Sequence, residues 1–325
     1  MKHRLKAALG TALLGVSLAG CGLDVNAALP YKVEPGSIQA VPELAGVDVT
    51  VGSKDFTEQI LLGYMAELAL SAAGADVTDL TDIKGSSSSR QALLSGEVDV
   101  MWEYTGTGWI NYLGNEQPVP GGEQAQYEAT RKADLEQNGV VWLDYSPLNN
   151  QYGLATTEEY AAQHDLATTS DLAAFLKENP AEAVYCLETE FISRQDGFPA
   201  AENTYGLPVA QVMQFGIGAI YAAVDGGTCP IGEVFTTDGR IAGLGLRVME
   251  DDKLAFPQYN AAITVRKEYL DAHPQIADVL QPVSDALDNE TLIELNKQVD
   301  VDGREPGEVA RDWMVEQGFI TTPDT

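Results

Sequence analysis

Two short segments of this chain combine a cation, aromatic rings and hydroxyl groups in a way that suits contact with a small polar molecule. Residues 52–59 read GSKDFTEQ and place Lys54 at a turn from an apolar strand into a helix. Backbone N–H groups point outward at such a turn. Residues 102–108 read WEYTGTG and end a second predicted strand with an aromatic ring followed by hydroxyls. An ammonium group can hold an anion, and the face of an aromatic ring can hold a cation.

Motifs of common catalytic and metal sites are absent from the sequence. There is no G-x-S-x-G nucleophile elbow and no G-x-x-x-x-G-K-S/T phosphate loop. A dinucleotide-like pattern begins at Gly216, but Tyr221 stands where its third glycine should be. None of the three histidines lies near an internal cysteine in the sequence. We therefore expect no metal site, no cofactor and no catalytic activity.

Strands alternate with helices in the first half, which predicts an α/β fold. Residues 47–52 alternate and are β-branched, and residues 57–72 carry apolar residues at helical spacing. The serines of residues 86–89 can supply N-cap hydroxyls to a helix over residues 90–94, and residues 98–102 form the next strand. Ligands of such sheets bind beyond the carboxyl ends of the strands.

The second half repeats this order, with a helix over residues 218–224, a glycine turn, and a strand over residues 232–235. Like the earlier strand, this one ends in an aromatic residue followed by threonine, which suggests two similar lobes facing a cleft. The proline-containing segments 146–150 and 256–260 are plausible lobe connections. The tail then completes lobe 1 with predicted helices over residues 275–287, 288–299 and 306–317.

The chain is strongly acidic, with a formal net charge of −30. Nucleic-acid binding needs a basic face, so this composition excludes it. The same charge repels an anionic lipid surface and favours solubility. Any membrane contact should therefore come from a separate anchor.

Residues 1–20 have the form of a lipoprotein signal peptide. A positive start precedes the apolar residues 9–19, and residues 18–21 read LAGC, the pattern that implies cleavage and a lipid on Cys21. The alternative is an ordinary signal peptide in which this cysteine is incidental. Residues 21–45 are rich in Pro, Gly, Asn and Ala and are predicted to be a tether.

Two further cysteines, Cys186 and Cys229, remain in a chain with an export signal. An even number of remaining cysteines in an exported protein, where the environment is oxidising, favours a disulfide. The bond would close a long loop and stabilise the fold by roughly 4 kcal/mol. Two free buried thiols are the alternative.

The GSKDFTEQ and WEYTGTG segments resemble the ligand-binding strand ends of the osmoprotectant-binding proteins of ABC transporters, which bind glycine betaine, choline or carnitine. The resemblance covers roughly residues 46–325. It implies a periplasmic-binding-protein type II fold, with two α/β lobes and a ligand cleft between them. Lobe 1 would comprise residues 46–148 and 260–325, and lobe 2 would comprise residues 149–259 with the crossovers.

The resemblance also implies an aromatic cage for a quaternary ammonium, which has no N–H to donate. It places the rings, in the motifs WEYTGT, NNQYGLA, VFTTDGR and FPQYNAA, at Tyr104, Tyr152, Phe235 and Tyr259. The family commonly has tyrosine at the third of these positions. Phenylalanine keeps the aromatic face there but lacks the hydroxyl.

Matching positions also suggest how a ligand carboxylate would be held. Lys54 and Arg194 match the family's carboxylate partners, and Thr107 matches a polar contact. Two cations beside the cage would favour a betaine over choline. Weaker candidates for lining the site are Gln59, Asn150 and Asp238.

The expected function is that of a lipid-anchored, extracytoplasmic solute-binding protein that delivers a quaternary-ammonium osmoprotectant to an ABC permease with a cytoplasmic ATPase. One alternative keeps this role with another ligand, such as ergothioneine or a non-quaternary amine. The others are an extracellular hydrolase and a purely structural lipoprotein, which would bind no ligand saturably.

Overall fold

The structure, a computed structural model, describes residues 27–28 and 30–323 and arranges them in two α/β lobes, each built on one mixed sheet. Cys21, the predicted signal peptide and the first part of the predicted tether lie outside the described residues.

The strands of the described residues form two large sheets and one short ribbon. They are β1 (Ala27–Ala28), β2 (Glu34–Pro35), β3 (Asp48–Lys54), β4 (Asp76–Ile83), β5 (Val100–Tyr104), β6 (Val140–Trp142), β7 (Tyr152–Thr157), β8 (Val184–Leu187), β9 (Gln211–Gln214), β10 (Ile231–Phe235), β11 (Leu246–Val248), β12 (Ala261–Arg266) and β13 (Ile320–Thr321).

The six-stranded sheet of lobe 1 has the order β1-β4-β3-β5-β12-β6, and the five-stranded sheet of lobe 2 has the order β11-β7-β10-β8-β9. In lobe 1, β3 runs parallel to both β4 and β5, while β12 is antiparallel to β5 and β6. In lobe 2, β8 runs parallel to β9 and β10, and β7 is antiparallel to β10 and β11. The strand β12 comes late in the chain, so the chain returns to lobe 1 after building lobe 2.

Helices flank both sheets. They are α1 (Thr57–Ala73), α2 (Ser86–Ser95), α3 (Thr105–Thr107, continued by a π-helical turn over Gly108–Tyr112), α4 (Glu123–Asn138), α5 (Glu158–Gln163), α6 (Thr169–Glu178), α7 (Thr189–Ser193), α8 (Phe198–Tyr205), α9 (Ile217–Asp225), α10 (Arg240–Gly243), α11 (Lys267–Ala272), α12 (Gln275–Asp285), α13 (Asn289–Asp300) and α14 (Pro306–Glu316). Across residues 27–28 and 30–323, none of these helices combines the length and apolarity that crossing a bilayer requires.

Helix α1 lies at the centre of lobe 1, as its largely apolar sequence requires. Apolar residues surround most of its circumference, so it is buried on nearly all sides between the sheet and helices α12, α13 and α14. It ends at Gly74, whose φ of +103° is the left-handed conformation that glycine adopts readily at a helix C-terminus. The predicted helix over residues 57–72 therefore agrees with the observed one to within a residue.

Helix α2 differs from the prediction at its N-terminus. The expected helix over residues 90–94 begins four residues earlier, so the serines meant as caps lie inside its first turn, and Gly85 at the N-cap supplies no side chain. A carboxylate of lobe 2 caps the N-terminus of the helix instead. Glu190 accepts hydrogen bonds from the backbone N–H and the hydroxyl of Ser86 at 2.6 and 2.8 Å. The helix is thus capped across the cleft.

The two segments that connect the lobes run side by side. Asn149 and Asn260 form an isolated antiparallel bridge, and the N–H of Tyr259 donates to Oδ1 of Asn149 at 2.9 Å. The N–H of Asn150 donates in turn to the carbonyl of Tyr259 at 3.2 Å. These contacts fix the backbone on both sides of the interlobe cleft.

A disulfide joins Cys186, on β8, to Cys229, in the turn between α9 and β10, with the two Cα atoms 6.0 Å apart. Both cysteines are fully buried. The bond therefore ties α9 and the turn that follows it to the sheet of lobe 2.

Candidate ligand-binding site

A cavity of about 420 Å³ lies between the lobes, where β3, β5 and β10 end and β7 begins. Its walls come from both lobes, as expected for a site at the edges of two facing sheets. Eight of the sequence-predicted residues line it, namely Lys54, Tyr104, Thr107, Asn150, Tyr152, Arg194, Phe235 and Tyr259.

Five aromatic rings form one contiguous wall of this cavity. Tyr152 contacts Phe235 and Tyr259, each with ring centroids 5.5 Å apart, and Phe235 lies 5.0 Å from Phe56. Phe56 is in turn stacked beside Tyr104 at 6.2 Å. We call these five residues the aromatic box. Phe56 and Tyr104 come from lobe 1, and Tyr152, Phe235 and Tyr259 come from the lobe 2 side, so the box is complete only when the lobes face one another.

Phe56 was missed by sequence reasoning, although it stands within the GSKDFTEQ segment. The signal available was its position two residues after Lys54, at the N-cap of α1. A residue at that turn faces the same strand end as the lysine. What places its ring in the box is the approach of Phe235 from lobe 2.

Glycine at position 106 allows the two sides of the box to meet. A Cβ atom there would lie 2.8 Å from the ring of Tyr259 and 2.8 Å from the carbonyl oxygen of Gln258. Any larger residue would push the crossover away from α3. The glycine that follows Thr105 in the WEYTGTG segment is thus a packing requirement of the site.

Two of the three tyrosine hydroxyls of the box are anchored on buried carboxylates. Tyr104 donates to Oε1 of Glu58 at 2.6 Å, and Tyr259 donates to Oδ2 of Asp196 at 2.8 Å. Burial, reinforced by these carboxylates, holds the pKa of both phenols well above the ordinary value. The rings are therefore neutral, and their orientation is fixed by partners outside the box.

Glu58 joins the two lobes behind the box. Its carboxylate accepts hydrogen bonds from Tyr104, from Thr237 at 2.5 Å, from Asn150 at 2.9 Å and from Asn296 at 3.3 Å. Burial raises the pKa of Glu58, and the four donors act against that shift. Because Thr237 and Asn150 belong to the lobe 2 side and the other donors to lobe 1, this carboxylate couples the positions of both sides.

Two of the weaker candidates do not line the main cavity. Gln59 is fully buried behind it, where its side-chain oxygen accepts the N–H of Lys54 at 3.4 Å. Asp238 forms an ion pair with Arg240 beside a small, separate cavity. Both residues lie close in sequence to motifs that line the cavity. The helix that carries Gln59 and the turn that carries Asp238 direct their side chains into the protein interior and away from the main cavity.

Both predicted cations are paired with buried carboxylates. Nζ of Lys54 forms an ion pair with Glu103 and lies 5.2 Å from the ring centroid of Tyr104. Arg194 forms a bidentate pair with Asp196 at 2.9 and 2.7 Å. Buried charges of this kind need such partners, because desolvation is costly.

Lys54 and Arg194 differ in how many of their N–H donors are left for a ligand. Arg194 also donates to Thr107 of lobe 1 at 3.1 Å, and its guanidinium lies 5.4 Å from the ring centroid of Tyr152. Its donors are thus largely committed to protein partners, to Asp196 within lobe 2 and to Thr107 across the cleft. An ammonium has three N–H donors, and Lys54 directs one at Glu103. Lys54 is therefore the cation better able to bind an incoming carboxylate.

A group of carboxyls from lobe 2 also lines the cavity. Glu188, Glu190 and Glu233 all line it. Burial, with the nearby carboxylate of Glu188, raises the pKa of Glu233 to about 8. Within the part of the chain that the structure describes, no group of three or more His, Cys, Asp or Glu residues is arranged to hold a metal ion.

Two lobes that enclose a cavity with an aromatic wall and buried ion pairs define the class of periplasmic-type solute-binding proteins. Comparison with known proteins identifies the family. Residues 47–316 match the sequence profile of the family OpuAC, described as the substrate-binding domain of an ABC-type glycine betaine transport system. The chain belongs to this family. It is accordingly a substrate-binding protein and not an enzyme, which sets the hydrolase alternative aside.

Individual relatives agree with this assignment. A glycine-betaine-binding protein of Pseudomonas aeruginosa is 37% identical, over 83% of this chain and 88% of its own. An ergothioneine transport permease/ergothioneine binding protein of Helicobacter pylori is 30% identical, over 83% of this chain and 48% of its own. The structure of apo YehZ from Escherichia coli superposes with a TM-score of 0.64 at 32% identity, covering 84% of this chain and 99% of that one. The predicted type II fold is confirmed.

Proposed function

We propose that this protein captures a quaternary-ammonium osmoprotectant, a betaine rather than choline, outside the cytoplasm and delivers it to the permease of an ABC importer with a cytoplasmic ATPase. The observation that carries the proposal is the aromatic box in the cavity between the lobes. A permethylated nitrogen cannot donate a hydrogen bond, so it is held by aromatic faces, which contribute about 2 kcal/mol when desolvated. The glycine-betaine-binding relative from P. aeruginosa supports this ligand class.

In this proposal the ammonium contacts the rings of the aromatic box, that is Tyr104, Tyr152, Phe235 and Tyr259 from the sequence analysis together with Phe56. The phenylalanine at position 235 keeps a face in contact with Tyr152 and Phe56. The missing hydroxyl therefore removes no part of the box.

The betaine carboxylate would bind Lys54, which has N–H donors beyond its bond to Glu103. Thr107 and Asn150 line the cavity beside it, and Arg194 would hold the lobes in register rather than form the main carboxylate contact. Choline has no carboxylate, so it would gain nothing from Lys54. This is the physical basis for preferring a betaine.

We further propose that residues 46–148 and 260–325 act as lobe 1 and residues 149–259 as lobe 2, and that the lobes rotate apart and together about the paired crossovers. Ligand would enter the separated form. Two hydrogen bonds cross the cleft and would form on closure, one that Arg194 donates to Thr107 and one that the N–H of Ser86 donates to Glu190.

Membrane attachment through a lipid on Cys21 completes the proposal, with residues 21–45 as the tether. The LAGC pattern of residues 18–21 supports it. Expression of wild-type protein and Cys21→Ser in a bacterial host, followed by detergent phase partitioning, tests this point. Wild-type protein in the aqueous phase would contradict the anchor.

The test of the function is calorimetric titration of the purified protein with glycine betaine, proline betaine, carnitine, choline, ergothioneine and proline. We expect saturable binding of at least one betaine, weak binding of choline, and none of proline. Tyr259→Ala should reduce betaine affinity, whereas Tyr145→Ala, a tyrosine outside the cavity, should not.

Other outcomes distinguish the alternatives. Binding of choline alone would retain the aromatic box and remove the carboxylate role of Lys54. Binding of ergothioneine or of proline in preference to simple betaines would favour the second candidate, the same transport role with another ligand, which the H. pylori relative supports. Binding of no compound would contradict the ligand class.

A further inference from the structure

Three glutamates of lobe 2 line the cavity, and one of them, Glu233, has a carboxyl oxygen without a hydrogen-bond partner among the described residues. Both oxygens of Glu190 are engaged by Ser86, at 2.6 and 2.8 Å. Glu188 accepts the N–H of Glu190 at 2.5 Å, where it caps helix α7. Glu233 accepts the N–H of Glu188 through Oε2 at 2.8 Å, but its Oε1 accepts no hydrogen bond from any residue that the structure describes.

Glu233 is only 1% exposed and lines the cavity. Because the residue lines the cavity and this oxygen has no partner in the described part of the chain, Oε1 is available to a hydrogen-bond donor on a bound molecule. Strand geometry places the carboxyl of Glu233 close to the aromatic box. Glu233 and Phe235 are two residues apart on β10, so they share one face and their Cα atoms are about 7 Å apart.

A simple betaine cannot donate a hydrogen bond to this oxygen, because its methyl groups and carboxylate carry no hydrogen-bond donor. Its ammonium would occupy the box and leave Oε1 of Glu233 without a donor from the ligand. The cavity of about 420 Å³ falls within the range of pockets that take larger ligands, roughly 300–1,000 Å³. Space and chemistry therefore both point to a larger, donor-bearing molecule.

We propose that Glu233 is a specificity-determining residue that accepts a hydrogen bond from a hydroxyl or ring N–H carried by a betaine ligand, a few bonds from its permethylated nitrogen. This proposal rests on the proposed function, since it places the ammonium in the aromatic box, and it applies both to a betaine with a donor, such as carnitine, and to ergothioneine, the second candidate. It adds that the preferred ligand has a donor group, and that this side of the cavity selects for it.

The surroundings of Glu233 fit this role. Burial and the carboxylates of Glu188 and Glu190 oppose its ionisation, while Arg194 favours it, so that its pKa rises to about 8. A ligand donor would act against this shift, because a hydrogen bond donated to the carboxylate stabilises its ionised, accepting form. Sites that hydrogen-bond a substrate group discriminate strongly against analogues that lack it, because the buried partner is then left unpaired.

The experiment is calorimetric titration of wild-type protein, Glu233→Gln and the control Glu202→Gln with three probes. The probes are glycine betaine, which has no donor, carnitine, which has a hydroxyl, and ergothioneine, which has ring N–H groups. Glu202 is an exposed glutamate of α8 in the same lobe. In Glu233→Gln the amide oxygen can retain the N–H of Glu188, which turns an NH₂ group toward the ligand donor.

We expect at least one donor-bearing probe to bind wild-type protein tenfold or more tightly than glycine betaine. Glu233→Gln should weaken that probe tenfold or more and change glycine betaine affinity by less than about threefold, while Glu202→Gln should change neither. If Glu233→Gln does not fold, as judged by its thermal melt, Glu233→Asp serves instead. That variant keeps the charge but withdraws the carboxyl by one methylene.

The outcomes separate the two claims. Glycine betaine bound by wild-type protein as tightly as the donor-bearing probes would overturn the role of Glu233 and leave the proposed function intact. Equal weakening of all bound probes by Glu233→Gln would likewise overturn it, since a purely structural residue acts without regard to ligand. Failure of wild-type protein to bind any probe would overturn the proposed function and this proposal together.

Discussion

Replacing Glu67 by glutamine should stabilise the protein at neutral pH. Glu67 lies in the middle of α1 and is fully buried, and neither of its oxygens accepts a hydrogen bond from the described residues. Burial, with the nearby charge of Asp79 as the second cause, raises the pKa of Glu67 from 4.5 to about 10. The folded protein therefore keeps a proton on this carboxyl at pH 7, while the unfolded chain releases it.

The size of the effect follows from that difference in proton binding. A raised folded pKa gives stability that is complete below the unfolded pKa and declines as pH rises toward the folded pKa. Each pH unit above 4.5 costs about 1.4 kcal/mol, so the loss at pH 7 has an upper limit of about 3 kcal/mol. Glutamine does not titrate and escapes this loss.

The assay is urea denaturation at pH 5, 6, 7 and 8 of wild-type protein, Glu67→Gln and a control, Glu136→Gln. Glu136 is an exposed glutamate on α4. The free energy of unfolding of Glu67→Gln should exceed that of wild type by less than about 1 kcal/mol at pH 5, and the gap should widen toward neutral pH. The control should stay within about 0.5 kcal/mol of wild type. A gap independent of pH, or a variant less stable than wild type at pH 7, would refute the reasoning.

Three further predictions concern the cavity and lobe 2. Tyr259→Ala should cost about 1–2 kcal/mol of betaine binding by calorimetry, whereas Tyr259→Phe, which keeps the ring, should cost much less; equal losses would contradict a role for the aromatic face. Glu58→Gln should lower the free energy of unfolding by about 2 kcal/mol or more in urea and also weaken ligand binding, because an amide cannot accept from all four of its donors; a variant as stable as wild type would show that the interlobe hydrogen bonds contribute little. Replacing both Cys186 and Cys229 by serine should cost roughly 4 kcal/mol of stability, because the disulfide closes a loop with a sequence separation of 43, and an unchanged unfolding midpoint would contradict this.

The sequence predicted the elements whose patterns are local. The strand at 47–52 and the helix at 57–72 appear as β3 and α1 with small shifts at their ends, because side-chain alternation and helical spacing depend only on near neighbours. The strand at 98–102 was displaced by two residues toward Tyr104, which is the usual uncertainty at an element boundary. The two-lobe architecture followed from alternating strands and helices and from the family resemblance.

Residue types at strand ends also indicated much of the cavity. Eight of the ten proposed ligand contacts line it. Lys54, Tyr104 and Phe235 do so from the carboxyl ends of strands, where such sheets bind ligands, and the other five do so from the crossovers, the ends of helices and the start of β7. Gln59 and Asp238 lie nearby in sequence but turn inward. Proximity to a motif fixes the position of the backbone, whereas the direction of a side chain depends on the element that carries it.

Only the tertiary structure decided how charges and rings are partnered. Lys54 and Glu103 are 49 positions apart, and Glu190 caps a helix that begins 104 positions earlier in the chain. The fifth ring of the box, Phe56, acquires its role from Phe235 of the other lobe. No local pattern encodes such pairs, because they depend on which strands become neighbours and how two lobes meet. The sequence alone therefore determined the elements and the kind of site, and the folded arrangement decided which groups remain free to bind a ligand.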